Sequence, residues 1–234
     1  MATSVVKKRC LYSENEALLM WTSVAFNDSR KYAFFNGRRW YHPPTPFDSF
    51  DDFYEFINKH DITDVHVKNL EDNMGREWVV DVDFEKNNSA QLLELKIAVA
   101  KVTFLNFFGA DSIARIMHSG NRGLHVWLKI NKFRMSADQR QREKYYNVFV
   151  APCGAIDLAD IRPGSFVDAL NRAIDDKEIE PMIRRHYNAE NDRKVIIKSL
   201  WPMVDRQVFC HVTHQIRVPF SYNFKGQNFS RQLH

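Results

Sequence analysis

In the run from Trp78 to Phe84, apolar residues alternate with Asp81 and Asp83, the pattern of a strand. A short strand is expected over 65–67, and the aromatic, basic stretch 30–41 reads as further strands. Residues 14–26 and 50–59 read as short helices, the second acidic and aromatic, and Pro43, Pro44 and Pro46 break any regular element between them. Asn88 or Ser89 is placed to cap a long helix ending near Gly109, and apolar residues on nearly all its sides mark a core helix. The runs 113–118 and 124–130 predict a hairpin around Ser119-Gly120-Asn121-Arg122-Gly123. Ser136 with Gln139 predicts a capping box for a basic helix to about Val150. Pro163 is placed to open a helix with Phe166, Leu170 and Ile174 on one face. Residues 179–187 are expected to be helical, and the tail from Ile196 to mix strand and loop.

At 234 residues the chain predicts a single domain, 1–234, with a small helical subdomain at about 136–190. Its 44% apolar and 13% aromatic content suffices for a substantial core. The net charge is only +4, but it is unevenly spread. Residues 41–95 hold 13 acidic and 4 basic groups, whereas 112–146 hold 2 and 8, and 184–234 hold 3 and 9. An acidic half beside basic stretches suits a nucleotide or nucleic-acid enzyme, although solvated surface charge gives the same count. Cys10, Cys153 and Cys210 form neither a disulfide framework nor a CxxC pair, which fits a reducing, intracellular compartment. The N-terminus lacks an apolar signal core, and Glu94, Lys96 and Lys101 interrupt the most apolar run, so neither secretion nor a membrane span is expected.

Residues two apart on a strand share a face, so Asp81 and Asp83 converge. Like charges held that close repel unless a cation lies between them, and magnesium takes carboxylate and phosphate oxygens. In the turn that follows, Gly120 and Gly123 allow close backbone approach, while Ser119, Arg122 and His125 offer a hydroxyl, a guanidinium fork and a ring nitrogen to a polyphosphate. A glycine hairpin with incidental polar residues is the plainer alternative. Asp205 is placed to complete a three-carboxylate site, but alone it reads as a turn or capping residue, and His214 as structural. Arg217 suits a phosphate or the surface. The helix bearing Arg140, Arg142 and Lys144 beside Tyr145 and Tyr146 suits single-stranded DNA or solvent equally.

Asp81-x-Asp83, then Ser119-Gly-x-Arg-Gly-x-His125, then Asp205, then Arg217 with Pro219-Phe220-Ser221, stand in an order and spacing that resemble the catalytic (small) subunit of archaeo-eukaryotic primases. The resemblance runs from about Arg30 to the tail, and the small size and the run 201–223 are most similar to the viral primases of baculoviruses. It implies an α+β primase fold, a mixed sheet bearing the metal site with flanking helices and a small helical insertion. It implies that Asp81, Asp83 and Asp205 bind two Mg2+ or Mn2+ ions. Ser119, Arg122, His125 and Arg217 would hold the incoming ribonucleoside triphosphate, with Arg30 helping to form the pocket. It further implies RNA primer synthesis on a single-stranded DNA template, a heterodimer with a larger accessory subunit, and residence in the host nucleus. Residues 84–117 contain no Cys or His, so the zinc knuckle of cellular relatives is not expected. Asn121 replaces a second arginine and Asn223 a histidine of the family pattern. Two rivals remain: a primase-polymerase relative that extends DNA, and a non-catalytic subunit that binds single-stranded DNA.

Overall fold

The structure is a computed structural model that describes residues 11–72, 74–154, 156–188 and 192–234; Cys10 and the extreme N-terminus lie outside it. Capping side chains set where the first helices begin. Ser13 and Glu16 form a reciprocal capping box at the start of α1 (Glu14–Thr22). β1 (Tyr32–Phe35) and β2 (Trp40–Tyr41) precede α2 (Phe50–Lys59), which Ser49 caps. β3 (Asp64–Val67) and β4 (Val79–Asp83) lead to α3 (Ala90–Phe108), capped by Ser89 and ended by Gly109. The hairpin of β5 (Ile113–His118) and β6 (Gly123–Leu128) follows. Five helices come next: α4 (Gln139–Tyr146), α5 (Phe166–Ile174), α6 (Glu180–His186), α7 (Arg193–Ser199) and α8 (Arg206–Cys210). Short strands close the chain: β7 (Ile216–Arg217), β8 (Tyr222–Asn223), β9 (Asn228–Phe229) and β10 (Arg231–Gln232).

Four local expectations give way. α1 stops at Thr22 rather than 26, and Phe26 adopts a left-handed conformation, φ 56°, that a helix cannot continue through. Asp138, not Ser136, caps α4, because its carboxylate accepts the Gln141 N–H at 2.7 Å. Residues 193–199 and 206–210 are helical, not strand or loop, because Asp192 and Asp205 cap them. The expected mixed sheet is instead two four-stranded sheets with antiparallel pairing throughout, ordered β2-β1-β3-β7 and β10-β5-β6-β4. β4 and β5 run the same way, but β6 lies between them, so the β4–α3–β5 unit is split.

The second sheet is packed on both faces. Val80, Val82, Ile116, Leu124 and Val126 meet Leu95, Val99 and Phe104 of α3 and Phe166 and Leu170 of α5. The helices of the 136–190 stretch thus share one core with the carboxylate-bearing sheet. On the other face Val79, Met117 and Trp127 join Tyr32, Phe34, Val65 and Val67 of the first sheet. Strand alternation therefore turns Asp81, Asp83 and His125 toward the first sheet.

Candidate active site

Between the two sheets lies a cavity of about 630 Å³. Asp81, Asp83, Ser119, His125 and Arg217 all line it, although they span 137 positions of the chain. Cross-strand register places Asp81 opposite His125 and Asp83 opposite Gly123. Gly123 is required there: a Cβ would stand 1.8 Å from the Val82 carbonyl oxygen. Gly120, at φ +77°, makes the tight turn, and a Cβ on it would meet the Asn228 carbonyl at 2.6 Å.

Asp205 reaches the site along the exposed edge of β4. Val204 bridges Val82, and the Asp205 N–H donates to the Asp81 carbonyl at 2.8 Å. Its Oδ1 also accepts the Gln207 and Val208 N–H groups at 2.7 and 3.0 Å. The residue therefore caps α8 and stands beside Asp81. Burial, then repulsion from Asp205 and Asp83, pushes the Asp81 carboxyl up to about 7. Burial, then the positive Arg217, lowers His125 to about 4, so a neutral imidazole lies with Nε2 3.3 Å from Asp81 Oδ1. Among the described residues no group of three or more His, Cys, Asp or Glu side chains is placed to hold a metal ion.

The glycine turn differs from an open cradle of backbone N–H groups. Ser119 Oγ accepts from Asn121 and Gly123 N–H at 3.3 and 3.1 Å, and His118 Nδ1 accepts from Gly120 N–H at 3.0 Å. These donors are engaged within the turn, which leaves the side chains to meet a phosphate. Arg122 donates from Nε to the Phe84 carbonyl at 3.0 Å and sets Nη2 3.4 Å from Asp83 at the rim. Arg217 is anchored through Nη1 to Asp64 at 2.6 Å and to the Tyr222 carbonyl at 2.5 Å. Asn223 is a structural clamp: it donates to the Ser119 carbonyl at 3.0 Å and accepts the Lys225 and Gly226 N–H groups.

Arg30 is not brought to the cavity. Fully buried, it donates from Nη1 to both Glu77 oxygens at 3.0 Å and from Nε and Nη2 to the Lys68 carbonyl. Its donors are consumed by the joint between the two sheets. Arg142 likewise turns inward, to the carbonyls of Ala137, Glu77 and Arg76. The basic face of α4 is thus Arg140 and Lys144. The residues missed from sequence are Phe35, Trp40, His66 and Phe224, which form the opposite wall of the cavity. The aromatic richness of 30–41 signalled Phe35 and Trp40, and nothing local marked His66 or Phe224.

Residues 80–234 match the sequence profile of the DNA primase small subunit family. The chain belongs to the DNA primase small subunit family. It is 43% identical over 228 residues to late expression factor 1 of Orgyia pseudotsugata multicapsid polyhedrosis virus, covering 96% of this chain and 88% of that relative. It is 38% identical over 224 residues to the DNA primase of Autographa californica nuclear polyhedrosis virus, covering 95% and 81%. Membership makes the chain a viral primase subunit and an enzyme of the nucleotidyl-transferring kind. The carboxylates, the glycine turn and Arg217 fall inside the matched segment; Trp40 and His66 precede it.

Proposed function

We propose that this chain is the catalytic subunit of a viral primase that joins two ribonucleoside triphosphates opposite single-stranded DNA and extends the product into a short RNA. It would act in the host nucleus, as a heterodimer with a larger accessory subunit that aids initiation and template grip. The observation that carries the reading is the bond from Asp205 to the backbone of Asp81, which adds a third carboxylate to a pair that already shares one strand face.

Burial, and after it repulsion from Asp205 and Asp83, raise Asp81, and a cation at this place would relieve the repulsion. Magnesium uses one or two carboxylates per ion and completes its shell with phosphate and water, so a site without three gathered ligands is still compatible with it. Asp81, Asp83 and Asp205 would hold two Mg2+ or Mn2+ ions. When bound, the ions would favour ionisation of the attacking 3′-hydroxyl and neutralise the departing pyrophosphate. Arg217, Arg122 and the Ser119 hydroxyl would hold the triphosphate in line for attack at the α-phosphorus. A neutral His125 adds no positive charge beside the cations and fixes the orientation of Asp81.

The test is de novo synthesis from labelled ribonucleotides on single-stranded DNA, with Mg2+ or Mn2+, with and without the accessory subunit. Asp81→Ala and Asp83→Ala are expected to lower synthesis about a thousandfold or more while remaining folded. Near-wild-type synthesis by both variants would sink the mechanism. Salt-sensitive DNA binding without synthesis, even with the accessory subunit, would point to the scaffold alternative.

A further inference from the structure

The basic residues between 132 and 144 surround an aromatic recess beside α4. Trp78, Lys132, Phe133, Arg134, Gln141 and Tyr145 line this recess of about 370 Å³, and none of them lines the catalytic cavity. Trp78 is its floor. It is 4% exposed, donates from Nε1 to the Arg134 carbonyl at 2.9 Å, and carries the Arg142 guanidinium 4.7 Å from its ring centroid. Phe133 and Tyr145 both rest on that indole, with centroids 5.9 and 5.3 Å away. Tyr145 is 54% exposed, so a held aromatic ring is presented to solvent.

Four cations border the recess. Lys132 and Arg134 line it, and Arg140 and Lys144 directly precede Gln141 and Tyr145 on α4. All four are exposed, and none forms a side-chain hydrogen bond or ion pair among the described residues. On other helices Arg172, Arg184, Arg193 and Arg206 each pair with a carboxylate. Both carboxylates of this stretch are engaged elsewhere, Asp138 in capping α4 and Glu143 in holding Arg206. A solvated face needs no aromatic recess, and an apolar dock carries no such uncompensated charge. A single strand fits both features, because it brings repeated phosphates and bases with free faces. The recess is also near the chemistry. Trp78 precedes Asp81 by three residues, about 10 Å of extended chain, and α8, which Asp205 caps, is tied to α4 by the Arg206–Glu143 pair.

We propose that this recess is a single-strand nucleic-acid site separate from the catalytic cavity, in which one base stacks on Tyr145 and the flanking phosphates meet Lys132, Arg134, Arg140 and Lys144. Gln141 offers the base edge both a donor and an acceptor. Stacking accepts any base, so the site holds a strand without reading its sequence. Template DNA and newly made RNA share this chemistry. A duplex keeps its bases stacked and offers the recess none. The site adds a hold on the strand to nucleotidyl transfer, and it stands or falls independently of the carboxylates.

The experiment is fluorescence anisotropy of labelled single-stranded oligodeoxythymidylate and oligouridylate with the full chain over a salt series. Nucleoside triphosphate and divalent metal are left out, so the result does not depend on transfer chemistry. Tyr145→Ala should weaken binding about tenfold, whereas Tyr145→Phe, which keeps the ring, should retain it. Lys132→Ala combined with Arg134→Ala should lower affinity and flatten the slope of log affinity against log salt by about 1.4, the share of two phosphate contacts on a single strand. Tighter binding of the DNA identifies the template as the occupant, and tighter binding of the RNA identifies the product. Wild-type affinity and salt slope in both Tyr145→Ala and the double variant overturn the proposal. Loss of accessory-subunit binding in these variants with oligonucleotide binding intact overturns it as well, since it marks a protein dock.

Discussion

The two walls of the cavity solve opposite physical problems. The wall from the second sheet concentrates negative charge: Asp81 and Asp83 share one strand face, Asp205 joins them along the strand edge, and Asp81 is forced up to about 7. The wall from the first sheet is aromatic and nearly neutral, and its one guanidinium, Arg217, is held by Asp64. The first wall carries repulsion among its carboxylates, and in the second both ring nitrogens of His66 lack a hydrogen-bond partner among the described residues. A buried arginine and glutamate, Arg30 and Glu77, fasten the two sheets together. The difference teaches that two walls of one cavity can carry different kinds of strain: electrostatic on the second sheet, unsatisfied hydrogen bonding on the first.

Removing the fastener separates the walls with the largest effect on stability. Arg30→Ala leaves Glu77 buried and unpaired, and should cost about 3–5 kcal/mol in urea unfolding. A loss below about 1 kcal/mol would show that the joint does not hold the sheets. At the rim of the charged wall, Arg122→Ala should raise the nucleotide concentration for half-maximal synthesis about tenfold, with folding intact. An unchanged nucleotide dependence would remove Arg122 from the phosphate contacts.

Asp205 separates structural from chemical roles within the charged wall. Asparagine caps helices as well as aspartate, whereas alanine does not. Asp205→Asn should lose synthesis at wild-type stability, and Asp205→Ala should lose synthesis and about 1 kcal/mol besides. Equal stability of the two would mean that the cap at α8 contributes nothing.

The smallest effect concerns pH. The folded pKa of Asp81 is raised to about 7, against an ordinary value of 3.8, so the folded state binds more protons between those values. Its contribution to stability is therefore present at low pH and is lost as pH rises from about 4 to about 7. On the proposed reading magnesium would compete with that proton. It should raise the melting midpoint by about 2–4 °C at pH 8, the shift that about 1 kcal/mol produces in a chain of this size, and by less at pH 5. A magnesium shift independent of pH, or retained in Asp81→Asn, would contradict the charged wall as the cation site.

Much of the charged wall could be read directly from the chain because its chemistry is local. Asp81 and Asp83 lie two apart, so period-2 alternation puts them on one face, and Ser119 to His125 fit within one turn and one strand that β4–β6 pairing sets beside them. The α+β class and the hydrophobic length of α3 were legible for the same reason: each is a property of neighbouring residues. Caps were less so, since Ser136 and Asp138 both satisfy the local rule and the helix begins at Asp138. Tertiary structure alone decided the destinations of the arginines. Arg30, Arg122, Arg142 and Arg217 look alike in sequence, but two are sealed against carbonyls and Glu77, one lies at the rim and one faces the cavity. It alone also assembled the aromatic wall, drawing Phe35 and Trp40, His66, and Phe224 from three distant segments through the pairing of β1, β3 and β7. The physical reason is that a side chain's type fixes which bonds it can make, whereas long-range strand pairing fixes which groups are within reach and whether water remains to compete.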